Sequence, residues 1–246
     1  MKKLILAIAA MTSGFAYANA PVPDNQVTFN AAVTSDYRYR GISQTRLNPA
    51  LQVGTDYTNN PTGFYAGAWA SNIKWVSDAG GSGDLEVDLY AGTRGNITDD
   101  FTYDLGVLTY VYSGNDLGNV SGFANANTTE IYSQLGYGPA YLKYSSSTTN
   151  LFGFVDSKNS GYLDLGANVT LSEGLTLNLH AGHQEVENVS AASYDDWKLG
   201  VTKDFGVVVA AVAVIGTNAD KSAYASQANG KFMGKNALVA TLSKTF

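Results

Sequence analysis

Apolar and polar residues alternate with a period of two through almost the whole chain beyond residue 20, and helical periods are nearly absent. A period of two means extended strands with two unlike faces. Twelve such segments are read at 26–40, 49–58, 63–75, 84–95, 100–112, 128–137, 140–147, 161–171, 174–185, 196–204, 206–216 and 236–246. Their lengths centre on the ~9–11 residues that a tilted strand needs to cross a bilayer. Twenty-six glycines, sixteen tyrosines and five prolines suit an all-β chain with many turns.

The connections alternate as well. TNNPTG, NITDD, GYGP, LSEG and KDFG are tight, whereas VSDAGGSGD, YSGNDLGNVSGFANAN, EVENVSAASYDD and TNADKSAYASQANGKFMGKN are long. Short turns on one rim and long loops on the other are the pattern of a single antiparallel transmembrane β-barrel with periplasmic turns and external loops. An even strand count puts both termini on the periplasmic side.

Which face is apolar follows from the segments themselves. Val27, Phe29, Ala31 and Val33 share one face of the first segment, with Tyr37 and Tyr39 beyond them; Thr28, Asn30, Asp36, Arg38 and Arg40 share the other. In the eighth, Leu163, Leu165 and Ala167 oppose Asp164, Gly166 and Asn168; in the ninth, Leu175, Leu177 and Leu179 oppose Thr176, Asn178, His180 and Gln184. A soluble sandwich turns its apolar face inward, and a membrane barrel turns it to lipid. Aromatic placement separates the two. Tyr57, Tyr65, Phe101, Tyr103, Tyr137, Phe205 and Phe246 fall at short-turn ends, and Tyr37, Tyr39, Trp75 and Trp197 at long-loop ends, with aliphatics between. Two aromatic belts around an aliphatic band predict membrane interfaces. Trp69, near mid-strand, is the exception.

The flanking features agree. Lys2 and Lys3, a short apolar run and Ala18-Asn19-Ala20 read as a bacterial secretory signal peptide over 1–20, cleaved after Ala20, leaving 21–246 as the barrel. Its loss takes the formal net charge from −6 to −8, which argues against a nucleic-acid partner. No later apolar run is long enough for a transmembrane helix. The chain has no cysteine, hence no disulfide and no thiolate chemistry.

VTSDYRYRGISQT, followed by NPALQVGTDY and GFYAGAWASNI, resembles the start of the TorF family of porins, a proteobacterial outer-membrane group. The resemblance is sharp over residues 33–75 and extends over the chain beyond the signal. It implies a pore in the outer membrane of a Gram-negative bacterium and fixes no solute. The ending ALVATLSKTF resembles the signal read by the barrel-assembly machinery through a terminal Phe246, although Lys244 stands where an apolar residue is usual.

Candidate lumen residues are the acids Asp36, Asp56, Glu86, Asp88, Asp104, Glu130 and Asp164, the bases Arg38, Arg40, Lys74, Arg94, Lys143 and Lys198, and His180. They would give a transverse field and, by their mixed signs, at most a mild cation preference; mutual pairing that stiffens the wall is an equal reading, and both can hold. Inward Tyr90, Tyr110, Tyr132, Tyr141 and Tyr162 would stack on a solute or simply fill a modest lumen. His180 and His183 lie three apart and face opposite ways on a strand, which suits neither a metal site nor a catalytic pair. No cofactor and no metal site are expected. The loop LFGFVDSKN, 151–159, packs on a neighbouring loop or folds inward as a constriction.

These readings favour an outer-membrane channel for passive diffusion of small hydrophilic solutes, with lipid and those solutes as partners. The alternatives are a non-conducting barrel acting through its loops, a lipid-active barrel enzyme, and a secreted soluble β-protein. The segment GVVVAAVAVIG is apolar on both faces, so its register stays open between a protomer contact and a small-residue lumen wall.

Overall fold

The computed structural model describes residues 22–246. The signal-peptide reading over 1–20 lies outside the described residues. Fourteen strands run in chain order, with two short helices: β1 (Asn25–Thr34), β2 (Arg38–Tyr39), β3 (Ile42–Ser43), β4 (Ala50–Asn59), β5 (Phe64–Asn72), α1 (Trp75–Asp78), β6 (Leu85–Asn96), β7 (Phe101–Ser113), β8 (Thr128–Tyr137), β9 (Ala140–Ser147), β10 (Gly161–Ser172), β11 (Leu175–Glu185), β12 (Tyr194–Asp204), β13 (Val209–Thr217), α2 (Lys221–Tyr224) and β14 (Ala237–Thr245). Twelve of them form one closed antiparallel barrel, and β2 and β3 form a separate two-stranded hairpin inside the first long connection.

Closure is between β1 and β14, with Asn30 opposite Thr245 and Thr34 opposite Thr241. Reciprocal backbone bonds join Phe29 to the last residue, Phe246. A closed sheet leaves no strand edge with unpaired backbone groups, the condition for surrounding a barrel with hydrocarbon. No helix among the described residues is long and apolar enough to cross a membrane.

Large apolar side chains cover the outside. Phe29, Leu51, Leu105, Ile131, Leu165, Leu199 and Leu242 are all exposed on that surface. At the long-loop rim the connections pack on one another instead. One apolar cluster joins Tyr37, Ile73, Val76, Tyr110, Tyr112 and Leu117; a second joins Ile42, Tyr194, Ala219 and Met233; a third joins Leu151, Val186 and Ala192.

The strand phases follow from pairing. In β13, Val212 and Val214 face out, while Val209, Ala211, Ala213 and Ile215 turn inward opposite Gly200 and Val239. That segment, apolar on both faces, is therefore a small-residue lumen wall. Two of the boundaries that differ from the sequence expectation bear on the interior. β1 ends at Thr34 rather than at residue 40, because the polar groups beyond it find partners inside the barrel. β5 ends at Asn72 rather than 75, because Ile73 and Val76 are fully buried among the loops.

Candidate functional site

The stretch SDYRYRGISQT does not continue the barrel wall. It turns inward as the β2–β3 hairpin, with Arg40 (φ 46°) and Gly41 (φ 79°) both left-handed at its tip. Two consecutive positive φ values make a tight hairpin turn that matches strand twist. The tip packs so closely against the wall that a Cβ on Gly41 would lie 2.9 Å from the Asp196 Cβ.

Polar contacts hold this hairpin. The Arg40 guanidinium donates to Glu130 on β8 (2.7 Å) and to Gln184 on β11 (2.6 Å), and lies 4.1 Å from the Tyr162 ring centre. Its side chain and that of Glu130 are only 6% and 3% exposed. A buried guanidinium with its carboxylate is strongly bound in place, because removal of either partner strands the other's charge. Tyr39 bonds Tyr110, and Phe152 packs edge-on against both rings. Tyr37 donates to Glu86 (2.7 Å). Arg38 pairs with Asp36 (2.6 Å) and donates to the carbonyls of Gly41, Met233 and Lys235, which fastens the hairpin to the β13–β14 loop. Asp36 in turn accepts from Ser43 (2.5 Å).

On the long-loop side of the hairpin is a cavity of about 160 Å³. Its lining includes Tyr39, Trp75, Tyr112, Phe152 and Tyr224, with Arg40 and Gln184 among its polar groups. Arg46 pairs with Asp78 beside it, and Ser226 donates to the same carboxylate (2.6 Å). Burial among these rings pushes the Tyr224 phenol up.

Toward the short-turn rim the interior is polar and partly open. Lys198 alternates inward between outward Trp197 and Leu199 and is nevertheless exposed, so the interior beside it has room for water. Tyrosines line this part by leaning along the wall. A Cβ on Gly67 would lie 2.5 Å from the Tyr90 ring, and one on Gly106 2.5 Å from the Tyr132 hydroxyl; Tyr65 over Gly92 and Tyr141 over Gly166 repeat the arrangement, as does Tyr162 over Gly182 higher up, at the level of the hairpin. A glycine on the adjacent strand gives each ring a place against the backbone. The phenols then reach carboxylates: Tyr90 donates to Asp56 (2.5 Å), Tyr65 to Asp104 (2.5 Å) and Tyr162 to Asp196 (2.8 Å). His180 sits between Asp164 (2.8 Å) and Asp196 (2.7 Å).

Of the lumen candidates, Asp56, Glu86, Asp88, Arg94, Asp104, Glu130, Lys143, Asp164, His180 and Lys198 are on inward positions of barrel strands. Asp36, Arg38 and Arg40 belong to the inserted segment and not to the wall. Lys74 is a correction. It caps α1 on the loop surface and pairs with Asp84 at 2.5 Å. Lys74 and Ser77 together hold the Asp84 carboxyl below the usual carboxylate range.

Of the interface aromatics, Tyr57, Phe101, Tyr103, Tyr137, Phe205 and Phe246 are on the outer face at the short-turn rim, and Trp197 is outward toward the other. Four depart from expectation. Tyr37 and Tyr39 enter the barrel with the hairpin, and Trp75 packs edge-on against Tyr112 in the loop cluster. Tyr65 faces inward because Ala66 pairs with outward Tyr57, so β5 turns its alanines and Phe64 outward. The alanine-rich face was the weaker apolar signal, which is why the phase of β5 was read the other way. Tyr144, exposed on the outer face of β9, was missed; its spacing two residues after Leu142 is the signal for it.

A family model described as a bacterial protein of unknown function, Gcw_chp, matches residues 17–246. The chain belongs to the Gcw_chp family. Among solved structures, this Gcw_chp barrel is similar to the KdgM porin, with a TM-score of 0.54, 7% identity, and coverage of 89% of this chain and 97% of that one. The KdgM porin in complex with disordered oligogalacturonate matches with the same figures. At such identity the likeness is one of fold: a closed antiparallel barrel. No curated protein matches the sequence of this Gcw_chp member.

Proposed function

We propose that this protein is an outer-membrane channel for passive diffusion of small hydrophilic solutes. One observation carries the reading: an apolar outer surface encloses a polar interior with room for water. Lipid receives the aliphatic band and its aromatic rim, and the lumen carries the solute. The β2–β3 hairpin sets the narrowest level, with Arg40 between the outer cavity and the lumen. The resemblance of residues 33–75 to the TorF family of porins and the fold shared with the KdgM porin, which has been seen with oligogalacturonate, support the same reading. In this reading the long loops face outward, residues 1–20 are a cleaved signal, and Phe246 engages the assembly machinery.

Purified protein in planar bilayers tests the proposal. Stepwise conductance is the expected result, and a barrel that is silent at every voltage and in every salt overturns it. A second reading has its own observation in favour. Arg40, Glu130 and the tyrosines around them close the interior at hairpin level, as a non-conducting barrel acting through its loops would require. Conductance of the unaltered protein separates the two, because a barrel closed at hairpin level passes no current until the hairpin is displaced. Both ring nitrogens of His180 lie within hydrogen-bond distance of carboxylates, and His183 pairs with Asp195 on the outer face.

A further inference from the structure

We infer that the lumen between the hairpin and the short-turn rim is an anion-binding surface built from Arg94, Lys143 and Lys198. Its ligands are small solutes carrying carboxylate or phosphate groups. The inference rests on the channel reading for the route by which such solutes pass, and on the following geometry for the binding itself.

Arg94 stands directly opposite Asp104 on the β6–β7 ladder, and Lys143 directly opposite Asp164 on the β9–β10 ladder. Facing positions on neighbouring strands are where opposite charges normally pair. Neither pair forms. Among the described residues, no carboxylate comes within ion-pair distance of Arg94, Lys143 or Lys198. The acids are taken by other donors: Asp104 by the Tyr65 hydroxyl and Asp164 by His180. The cations lie over ring faces instead, Arg94 5.1 Å from the Tyr65 centroid and Lys143 4.0 Å from that of Tyr132.

A ring face holds a cation by its quadrupole without cancelling its charge. Tyr65 therefore does two things: its hydroxyl draws the Asp104 carboxylate to the wall, and its face presents Arg94 to the lumen; Tyr132, whose hydroxyl bonds that of Tyr65, presents Lys143 in the same way. Lys198 opposes His180 on the β11–β12 ladder and projects into open space. The three cations stand on β6, β9 and β12, every third strand around one half of the barrel. Asp88, whose buried Oδ1 has no hydrogen-bond partner, lies beside Glu86 at hairpin level, above this surface. The mixed signs of the lumen sequence predict at most a mild cation preference; cations turned toward the lumen, with the acids drawn to the wall, would favour anions instead.

The test uses detergent-purified, folded barrel. Calorimetric titration at low ionic strength with citrate and, separately, inorganic phosphate is expected to show saturable binding of at least one, weakened by about tenfold or more in the combined Arg94→Gln, Lys143→Gln and Lys198→Gln variant. Binding of citrate alone assigns the surface to carboxylates, and binding of phosphate alone to phosphates. Lys198→Gln by itself is the control against misfolding, because among the described residues that side chain makes no hydrogen bond or ion pair; it is expected to lower affinity while retaining heat-modifiable gel mobility. In bilayers under a potassium chloride gradient, the reversal potential is expected to favour chloride and to lose that preference in the triple variant. Absence of saturable binding by either anion, an unchanged triple variant, or a potassium preference overturns the proposal. Saturable binding in a barrel that never conducts would keep the anion surface and remove the channel.

Discussion

Gly106 carries no side chain because the Tyr132 phenol occupies the space that one would need, and Gly67 stands in the same relation to Tyr90. The pairing is an exchange of volume across one ladder. The glycine gives up a side chain, and the tyrosine gains a flat seat against the backbone instead of standing across the lumen. The inward glycines and inward tyrosines were both legible from alternation, but not their pairing, since adjacency across strands has no local signal. A valine at Gly106 must push Tyr132 into the lumen and overpack the wall. Gly106→Val is therefore expected to cost about 1–3 kcal/mol of barrel stability, read as a lower temperature for loss of the folded gel band. It is also expected to reduce conductance, whereas Tyr132→Ala alone should leave the lumen wider. An unchanged conductance in Gly106→Val would mean that the ring does not border the passage.

The β2–β3 hairpin shows what a short element can hide from its own sequence. SDYRYR alternates as cleanly as any barrel strand, and its tyrosines sit where an interface belt belongs. Only partners distant in the chain reveal the inward turn: Glu86 for Tyr37, Tyr110 for Tyr39, Glu130 and Gln184 for Arg40. Alternation encodes two unlike faces; it does not say that the second face is another part of the same barrel. One intervention follows. Arg40→Ala leaves Glu130 without its cation, a loss of about 3–5 kcal/mol when one partner of a buried pair is removed. That loss falls on the hairpin, whose displacement is expected to raise the open fraction in single-channel records while the barrel stays folded. An open fraction equal to that of the unaltered protein would show that the hairpin does not gate the passage.

At the scale of the whole molecule, the twelve-stranded barrel was readable because closure imposes regularities along the entire chain. Strand length, period two and the alternation of short and long connections repeat from β1 to β14, so one misread phase, that of β5, did not disturb the count. The loop cluster had no such redundancy. Ile73, Val76 and Leu117 are fully buried, yet they come from two connections, β5–β6 and β7–β8, of ordinary loop composition. The same architecture predicts a sharp asymmetry between neighbouring positions of one strand. Leu165 and Asn168 are both on β10, the first on the apolar outer face and the second facing the lumen across from Asn178. In the proposed membrane channel, an arginine at Leu165 lies in hydrocarbon near mid-strand, at a cost of about 2–4 kcal/mol for a position at the bilayer midplane. Asn168→Arg places the same charge in water and loses one amide contact. Urea unfolding in lipid vesicles is expected to show a lower midpoint for Leu165→Arg than for Asn168→Arg. The reverse order would place lipid on the wrong side of the sheet and require an inside-out assignment of every strand.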